Sequence, residues 1–352
     1  MFNNKTMIVV GAGASTEANL PSGYELKERI ADVLDIRFED GVRRISGDHA
    51  VYEAIRLAIR RDEPDLRDVS LHLQAAWRIR DAMPQAISID NFIDAHQGDR
   101  KIELCGKLAI VRSILKAERQ SILFVDRQGG SLSLNYQSLE ATWFNAFMQL
   151  LTENCKVDRL AERLSSIRLI VFNYDRCIEH FLYHSLQNYY GINHELAGSL
   201  VRDIEIYHPY GTVGNLPWYR SEHAVEFGAE PSSNQLVDLV SQIKTFTEGT
   251  DPNSSDVAKI RDGMAEARIV LFLGFAFHRL NLELIRPLRN ANSTLGDVRY
   301  FGTAVGISGS DCDVISSELA VLGGAKVENI ALRNDLKCSK LFQEYWRSLS
   351  LS

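Results

Sequence analysis

The chain has 352 residues, of which 45% are hydrophobic, and its net charge is -7. This length and composition predict a globular protein of one large or two ordinary domains, and the negative charge argues against a nucleic-acid-binding protein. Five cysteines without paired spacing argue against a structural zinc module and favour reduced thiols. Because the sequence also lacks a secretion signal and a long apolar run, we expect a cytoplasmic protein that does not bind membranes.

The first predicted strand runs from Met7 to Val10, four consecutive apolar residues of the kind that a buried parallel sheet contains. A turn with glycines at 11 and 13 follows, and the missing side chains leave space beside the backbone for a ligand. A helix is predicted to begin near Ser22, and strand, turn and helix together would suit a phosphate group. Thr16 stands at the third glycine of the dinucleotide fingerprint. No acidic residue follows about twenty residues on at the end of an obvious second strand, as a hydride-transfer enzyme would need. A tight turn without a ligand is the alternative.

Residues 36–125 have mostly helical periodicity. The helical segments are Val51 to Ile59, Leu71 to Ile79 and Ile102 to Leu115. Because this block separates the first strand from the other strands, we predict a helical insertion or cap. The sheet domain then comprises 1–35 and 126–352. Within the insertion, Asp90 either caps a helix or contacts a ligand.

The second part of the chain alternates strands and helices. The predicted strands are Arg168 to Phe172, Ile204 to Gly211, Arg268 to Gly274, Val298 to Val305 and Lys326 to Ile330. The predicted helices are Leu139 to Leu151, Asp158 to Leu164, a helix containing Ile178 to Leu186, Val237 to Phe246, Asn281 to Leu288 and Leu341 to Leu349, with a loop at 251–255. This alternation predicts an α/β fold with a Rossmann-like, doubly wound parallel sheet.

Polar residues follow two of these strands at their carboxyl ends, where open parallel sheets bind ligands. Asn173 and Asp175 come directly after one strand, and His208 lies at the end of the next. Taken singly, an Asn-x-Asp sequence is more often a helix cap, and a lone histidine before proline is more often a loop residue.

Four motifs occur in an order that resembles the sirtuin superfamily, specifically its bacterial sirtuin-like branch found in anti-phage systems. They are Gly11-Ala-Gly-Ala-Ser15 with Leu20-Pro-Ser-Gly23, Phe172-Asn-Tyr-Asp175, His208-Pro-Tyr-Gly211, and Gly274-Phe-Ala-Phe-His278 with Asn281 beyond it. Ser88-Ile-Asp90 with Phe92 also resembles a short stretch of that branch's helical insertion. Two departures, the missing four-cysteine zinc module and Ser22-Gly23 in place of a loop ending in Phe-Arg, argue against protein deacylation.

The resemblance implies cleavage of NAD to nicotinamide and ADP-ribose, with NAD as substrate and no metal. It implies catalytic roles for Asn173, His208 and Asp175. It implies nucleotide contacts from Gly11, Ala12, Gly13, Ser15, Pro21 and Gly274. The residue types fit this reaction, because an asparagine amide can hold the ribose and a histidine can take a proton from water near neutral pH.

The resemblance also implies a homo-oligomer that acts as the toxic effector of an anti-phage, abortive-infection system. A separate chain, such as a HerA-type ATPase or a short Argonaute, would gate its activity. One alternative is a non-hydrolytic regulatory subunit that binds NAD or ADP-ribose. A protein deacylase or an ADP-ribosyltransferase is the other.

Overall fold

The structure is a computed structural model that describes residues 5–40, 43–62, 68–126, 129–130, 133–245, 248, 255–287 and 298–350. Within these ranges, six strands form one all-parallel sheet: β1 (Thr6–Val10), β4 (Ile167–Val171), β5 (Glu205–Tyr207), β6 (Ile269–Leu273), β7 (Arg299–Thr303) and β8 (Ile330–Arg333). Two further strands, β2 (Arg37–Glu39) and β3 (Arg43–Ser46), form a separate antiparallel pair.

The order of strands across the sheet is β5-β4-β1-β6-β7-β8. Numbered by their order along the chain, the six strands follow the arrangement 3-2-1-4-5-6 of doubly wound dinucleotide-binding sheets. The predicted α/β fold with a Rossmann-like parallel sheet is therefore confirmed. The strand order reverses between β1 and β6, and sheets of this kind bind ligands in the crevice at the carboxyl ends of such a strand pair.

Both faces of the sheet are buried, which explains the uninterrupted apolar runs of its strands. In β1, Ile8 and Val10 pack into one core, whereas Met7 and Val9 pack into the core on the opposite face. The helices in the first half of the chain are α1 (Ala12–Ser15), α2 (Gly23–Leu34), α3 (His49–Asp62), α4 (Ser70–Ala82), α5 (Ile89–Ala95), α6 (Arg100–Gln120), α7 (Tyr136–Leu139), α8 (Trp143–Thr152) and α9 (Leu160–Leu164). Those in the second half are α10 (Cys177–Tyr190), α11 (His194–Arg202), α12 (Ser233–Val240), α13 (Ser255–Glu266), α14 (Arg279–Leu284), α15 (Gly309–Gly323), α16 (Cys338–Glu344) and α17 (Trp346–Ser350). None of the helices described here is long and apolar enough to cross a membrane.

Helices α3 to α6 lie between β1 and β4 in the chain and build a core of their own. Leu34 of α2 and Leu236 of α12 are also buried in that core. The insertion therefore packs against parts of the sheet domain, and its limits at 36 and 125 stay a prediction. Helix α2 begins where the sequence predicts, because Ser22 forms a capping box with Glu25.

Several element limits differ from the prediction. The strand pair β2–β3 lies inside the block predicted to be mostly helical. The helix predicted over 139–151 is divided into α7 and α8, since Thr142 is extended. The last strand begins at Ile330 and not at 326, because Val327–Asn329 form a turn of 3-10 helix. The closing helix is interrupted at Tyr345. Phe246, residues 251–254 and Leu288 lie outside the described residues.

Candidate active site

A cavity of about 790 Å³ opens at the carboxyl edge of the sheet, where β1 and β6 end. Its volume suits a small-molecule or cofactor site. The turns after β1, β4 and β6 line one side, and α5 of the insertion lines another. The predicted site residues that line it are Gly11, Ala12, Gly13, Pro21, Asn173, Asp175 and Gly274. Ser15 and His208 are not among its lining residues.

The glycine turns after β1 and β6 pack directly against each other. The Gly11 amide donates to the Leu273 carbonyl oxygen at 2.9 Å, and the Gly13 amide donates to that of Gly274 at 3.0 Å. A Cβ atom added to Gly11 would lie only 2.5 Å from the Gly274 carbonyl oxygen. The missing side chains therefore permit backbone to approach backbone, a requirement that exists without any ligand.

We expect Gly274→Ala to destabilise the fold strongly. Gly274 has a φ of +55°, and its added Cβ would lie 1.9 Å from the Ala14 amide nitrogen. The left-handed backbone and the overpacking together should lower the free energy of unfolding by about 3 kcal/mol or more. Urea unfolding measures this, with Gly309→Ala as the matched control, since nothing lies within 4 Å of a Cβ at that position. Equal losses in both variants would contradict the packing argument.

A buried hydrogen-bond network joins the turn after β4 to the turn after β1. The Asn173 amide nitrogen donates to Ser15 Oγ at 3.0 Å, and Ser15 Oγ donates to Asp175 Oδ2 at 2.8 Å. The Cys177 amide donates to Asp175 Oδ1 at 3.1 Å, at the start of α10. Asp175 thus accepts from the first amide of α10 and also holds Ser15. Ser15 holds Asn173 and Asp175 in place but does not line the cavity, which does not fit the nucleotide contact that the resemblance implies for it.

The network leaves one polar atom of Asn173 unused. Its Nδ2 is committed to Ser15, and among the described residues no atom donates to its Oδ1. Asn173 is only 6% exposed, and a buried acceptor without a partner costs about 1–3 kcal/mol. A hydroxyl of a ligand in the cavity would satisfy this oxygen.

His208 lies beside Asn173, but its ring is occupied by protein acceptors. Nδ1 is 3.3 Å from the Asn173 carbonyl oxygen, and Nε2 is 2.7 Å from Oε1 of Glu179. Since both ring nitrogens face these oxygens and the residue does not line the cavity, the predicted proton transfer from a water in the cavity to His208 does not fit this arrangement. The histidine instead supports the backbone of the Asn173 turn.

The pairing of His208 with Glu179 predicts a pH-dependent stability. Burial lowers the pKa of His208, but the Glu179 carboxylate and the Asn173 carbonyl oxygen outweigh burial, and the pKa lies above its ordinary value of 6.5. The resulting stabilisation is complete below the unfolded pKa and is lost as the pH rises through the folded pKa. The free energy of unfolding should thus fall as the pH rises above 6.5. In urea titrations at several pH values, the free energy of unfolding of His208→Gln should lack this part of the fall. Parallel pH profiles for the wild type and the variant would refute the role of the His208–Glu179 pair.

The cavity and the turns around it also contain features that the sequence did not single out. Glu17 accepts from the Trp143 amide at 2.8 Å and the Ser339 amide at 2.9 Å, so one carboxylate anchors the starts of α8 and α16. Phe277, in the turn after β6, has a φ of +54°, a strained conformation for an aromatic residue, but it is buried in a core and does not line the cavity. No sequence pattern predicts this strain.

Of the two alternatives for Asp90, the helix cap is wrong. Ser88 caps α5, because its Oγ accepts from the Asn91 amide at 3.1 Å. This cap leaves the Asp90 side chain on the wall of the cavity. A serine directly before the helical run was the signal available in the sequence.

In the part of the chain that the structure describes, no group of three or more potential ligands is placed to hold a metal ion. The five cysteines are buried and form no disulfide. That the protein needs no metal stays a prediction.

The chain matches no protein-family model and no curated protein. The fold and the cavity define an α/β protein with a Rossmann-like sheet and a site at its switch point. The chemistry of that site therefore depends on its own residues and on the motifs they form.

Proposed function

We propose that this cavity binds NAD and cleaves it to nicotinamide and ADP-ribose. The observation that carries the proposal is the buried, unpartnered Oδ1 of Asn173 in the wall of a cavity at the switch point of a Rossmann-like sheet. A ribose hydroxyl is a suitable donor for this oxygen, and switch-point cavities suit dinucleotides.

The diphosphate would lie near the turn after β1. The amides of Gly11 and Gly13 already donate within the protein, so the contact from this turn would come from the amide of Ala12. The side chains of Lys27 and Arg279 line the same cavity and carry the charge that a diphosphate needs. Pro21 and Gly274 would then shape the walls around it.

Cleavage of the bond between nicotinamide and ribose develops positive charge on the ribose ring, as in other glycosidic reactions. Nicotinamide leaves as a neutral molecule, so the site needs no strong acid. Asn173 would fix the ribose through its Oδ1, and the negative charge of Asp175 would favour the cation. In this proposal His208 is a positioning residue for the Asn173 turn, since its ring faces Glu179.

A second candidate is a regulatory subunit that binds NAD or ADP-ribose without cleaving it. One observation favours it, namely that the expected catalytic histidine does not line the cavity. Binding without turnover would then be the property of the wild-type chain.

We also propose that the protein is a homo-oligomeric anti-phage effector gated by a separate chain, such as a HerA-type ATPase or a short Argonaute. The proposal rests on the resemblance of the motifs. It is supported by α5, which belongs to the insertion and lines the cavity. If the insertion can adopt two conformations, a partner that binds one of them more tightly would shift the population of the protein toward that conformation.

The experiment is an NMR time course of NAD with the purified chain, repeated with an acyl-lysine peptide. Release of nicotinamide and ADP-ribose in equal amounts without peptide supports the hydrolase. Cleavage that requires the peptide would indicate a deacylase. Binding by calorimetry with unchanged NAD would favour the regulatory subunit.

A further inference from the structure

The carboxylates of the cavity differ in how they are used. Both oxygens of Glu17 accept backbone amides at helix starts, and both oxygens of Asp175 accept from Ser15 and Cys177. Asp90 is different, because no neighbouring side chain among the described residues donates to its carboxylate. The backbone amide of Asp90 itself is its protein donor, and because a carboxylate can accept several hydrogen bonds, it can still accept one from a water or a ligand in the cavity.

Asp90 and Asn173 line the same cavity, Asp90 from α5 and Asn173 from the turn after β4. It lies in the first turn of α5, and its charge contributes, after burial, to raising the pKa of Tyr210. The Tyr210 ring lies 5.8 Å from the ring of Phe172, the residue before Asn173. The hydroxyl of Tyr210 donates to Asn281 Oδ1, which fixes the tyrosine. Both residues line the cavity.

Burial also gives Asp90 the proton affinity of a general base. It raises the pKa of Asp90 to about 7. A base whose pKa lies near the operating pH combines a useful ionised fraction with the driving force for proton transfer. The ring nitrogens of His208 face Asn173 and Glu179, so the histidine does not supply this function.

We propose that Asp90, a residue of the insertion, is the catalytic base that activates water in the NAD cleavage proposed above, on which this inference rests. The bond between ribose C1′ and the nicotinamide nitrogen breaks, and its electron pair leaves with neutral nicotinamide. The water oxygen bonds to C1′, and its proton passes to the Asp90 carboxylate and then to solvent. NAD and water thus give nicotinamide, ADP-ribose and one proton.

Asp90→Asn tests this role with two readouts taken from the full chain at an enzyme concentration above that of NAD. Hydrolysis needs the activated water, whereas exchange of labelled nicotinamide into NAD needs only the reversible first step. We expect hydrolysis to fall by at least about a hundredfold and the ratio of exchange to hydrolysis to rise by a similar factor. The matched control is Asp32→Asn, the same change at an exposed position of α2. Its hydrolysis and exchange should equal those of the wild type.

The outcomes separate the two proposals. Suppose that the wild type hydrolyses NAD and that Asp90→Asn has the same ratio of exchange to hydrolysis as the wild type. This result would overturn the role of Asp90 and leave the proposed function standing. The role of Asp90 is also overturned if hydrolysis and nicotinamide exchange fall by the same factor in Asp90→Asn while its thermal midpoint is unchanged. Neither hydrolysis nor exchange in the wild type would overturn the proposed function itself.

Discussion

Replacing Asn173 with alanine should reduce NAD hydrolysis by at least about a hundredfold and leave the protein folded. The variant loses the Oδ1 that would hold the ribose and the amide that donates to Ser15. Since removal of the buried, unpartnered oxygen offsets part of the lost hydrogen bond, the thermal midpoint should change little.

Nicotinamide release at saturating NAD, together with calorimetric binding, measures this effect. Asn188→Ala is the matched control, because that asparagine is exposed near the end of α10. Its turnover should equal that of the wild type. A folded Asn173→Ala protein that keeps wild-type turnover would remove Asn173 from the mechanism.

The largest loss of stability is expected from Arg176→Met. The Arg176 guanidinium donates to both oxygens of Glu118, at 3.0 and 2.5 Å, and to the Val225 carbonyl oxygen at 2.7 Å. The side chains of this pair are 1% and 0% exposed. Without the guanidinium, Glu118 would be a buried charge without a counter-ion, a loss of about 3–5 kcal/mol. The pair joins α6 of the insertion to the residue after Asp175, so NAD affinity should fall as well.

The free energy of unfolding in urea tests the importance of the Glu118–Arg176 pair. It also distinguishes the cost of leaving Glu118 as an unpaired buried charge from the cost of losing the ion pair itself. The double variant Glu118→Leu with Arg176→Met should be more stable than Arg176→Met alone, because it leaves no unpaired charge. Glu283→Gln in the exposed Glu283–Arg286 pair should have little effect. Equal losses from Arg176→Met and Glu283→Gln would contradict the assignment.

Much of the sheet was predictable because burial on both faces leaves a simple pattern. The strands near Met7 and Ile269 are continuous apolar runs, and a glycine follows each of them. The positions of Asn173 and Asp175 followed from the same rule, since residues after a parallel strand lie at the ligand edge. The limit of β8 was missed because its residues are only half-buried and do not form such a run.

The orientation of His208 was not predictable, since it depends on contacts between distant segments. Its ring is fixed by Glu179, a buried residue of α10, and nothing in the His-Pro-Tyr-Gly sequence indicates that partner. The placement of Asp90 likewise depends on how the insertion folds over the sheet. The Arg176–Glu118 pair joins residues 58 positions apart.

The most direct test of NAD cleavage is a single-turnover reaction with the wild-type chain in excess over NAD. Excess enzyme makes even a slow, ungated reaction visible, because every NAD molecule can occupy a site. We predict that NAD disappears and that nicotinamide and ADP-ribose appear in equal amounts, and that Asn173→Ala leaves NAD intact. Recovery of intact NAD from wild-type protein that binds it would contradict the proposed function.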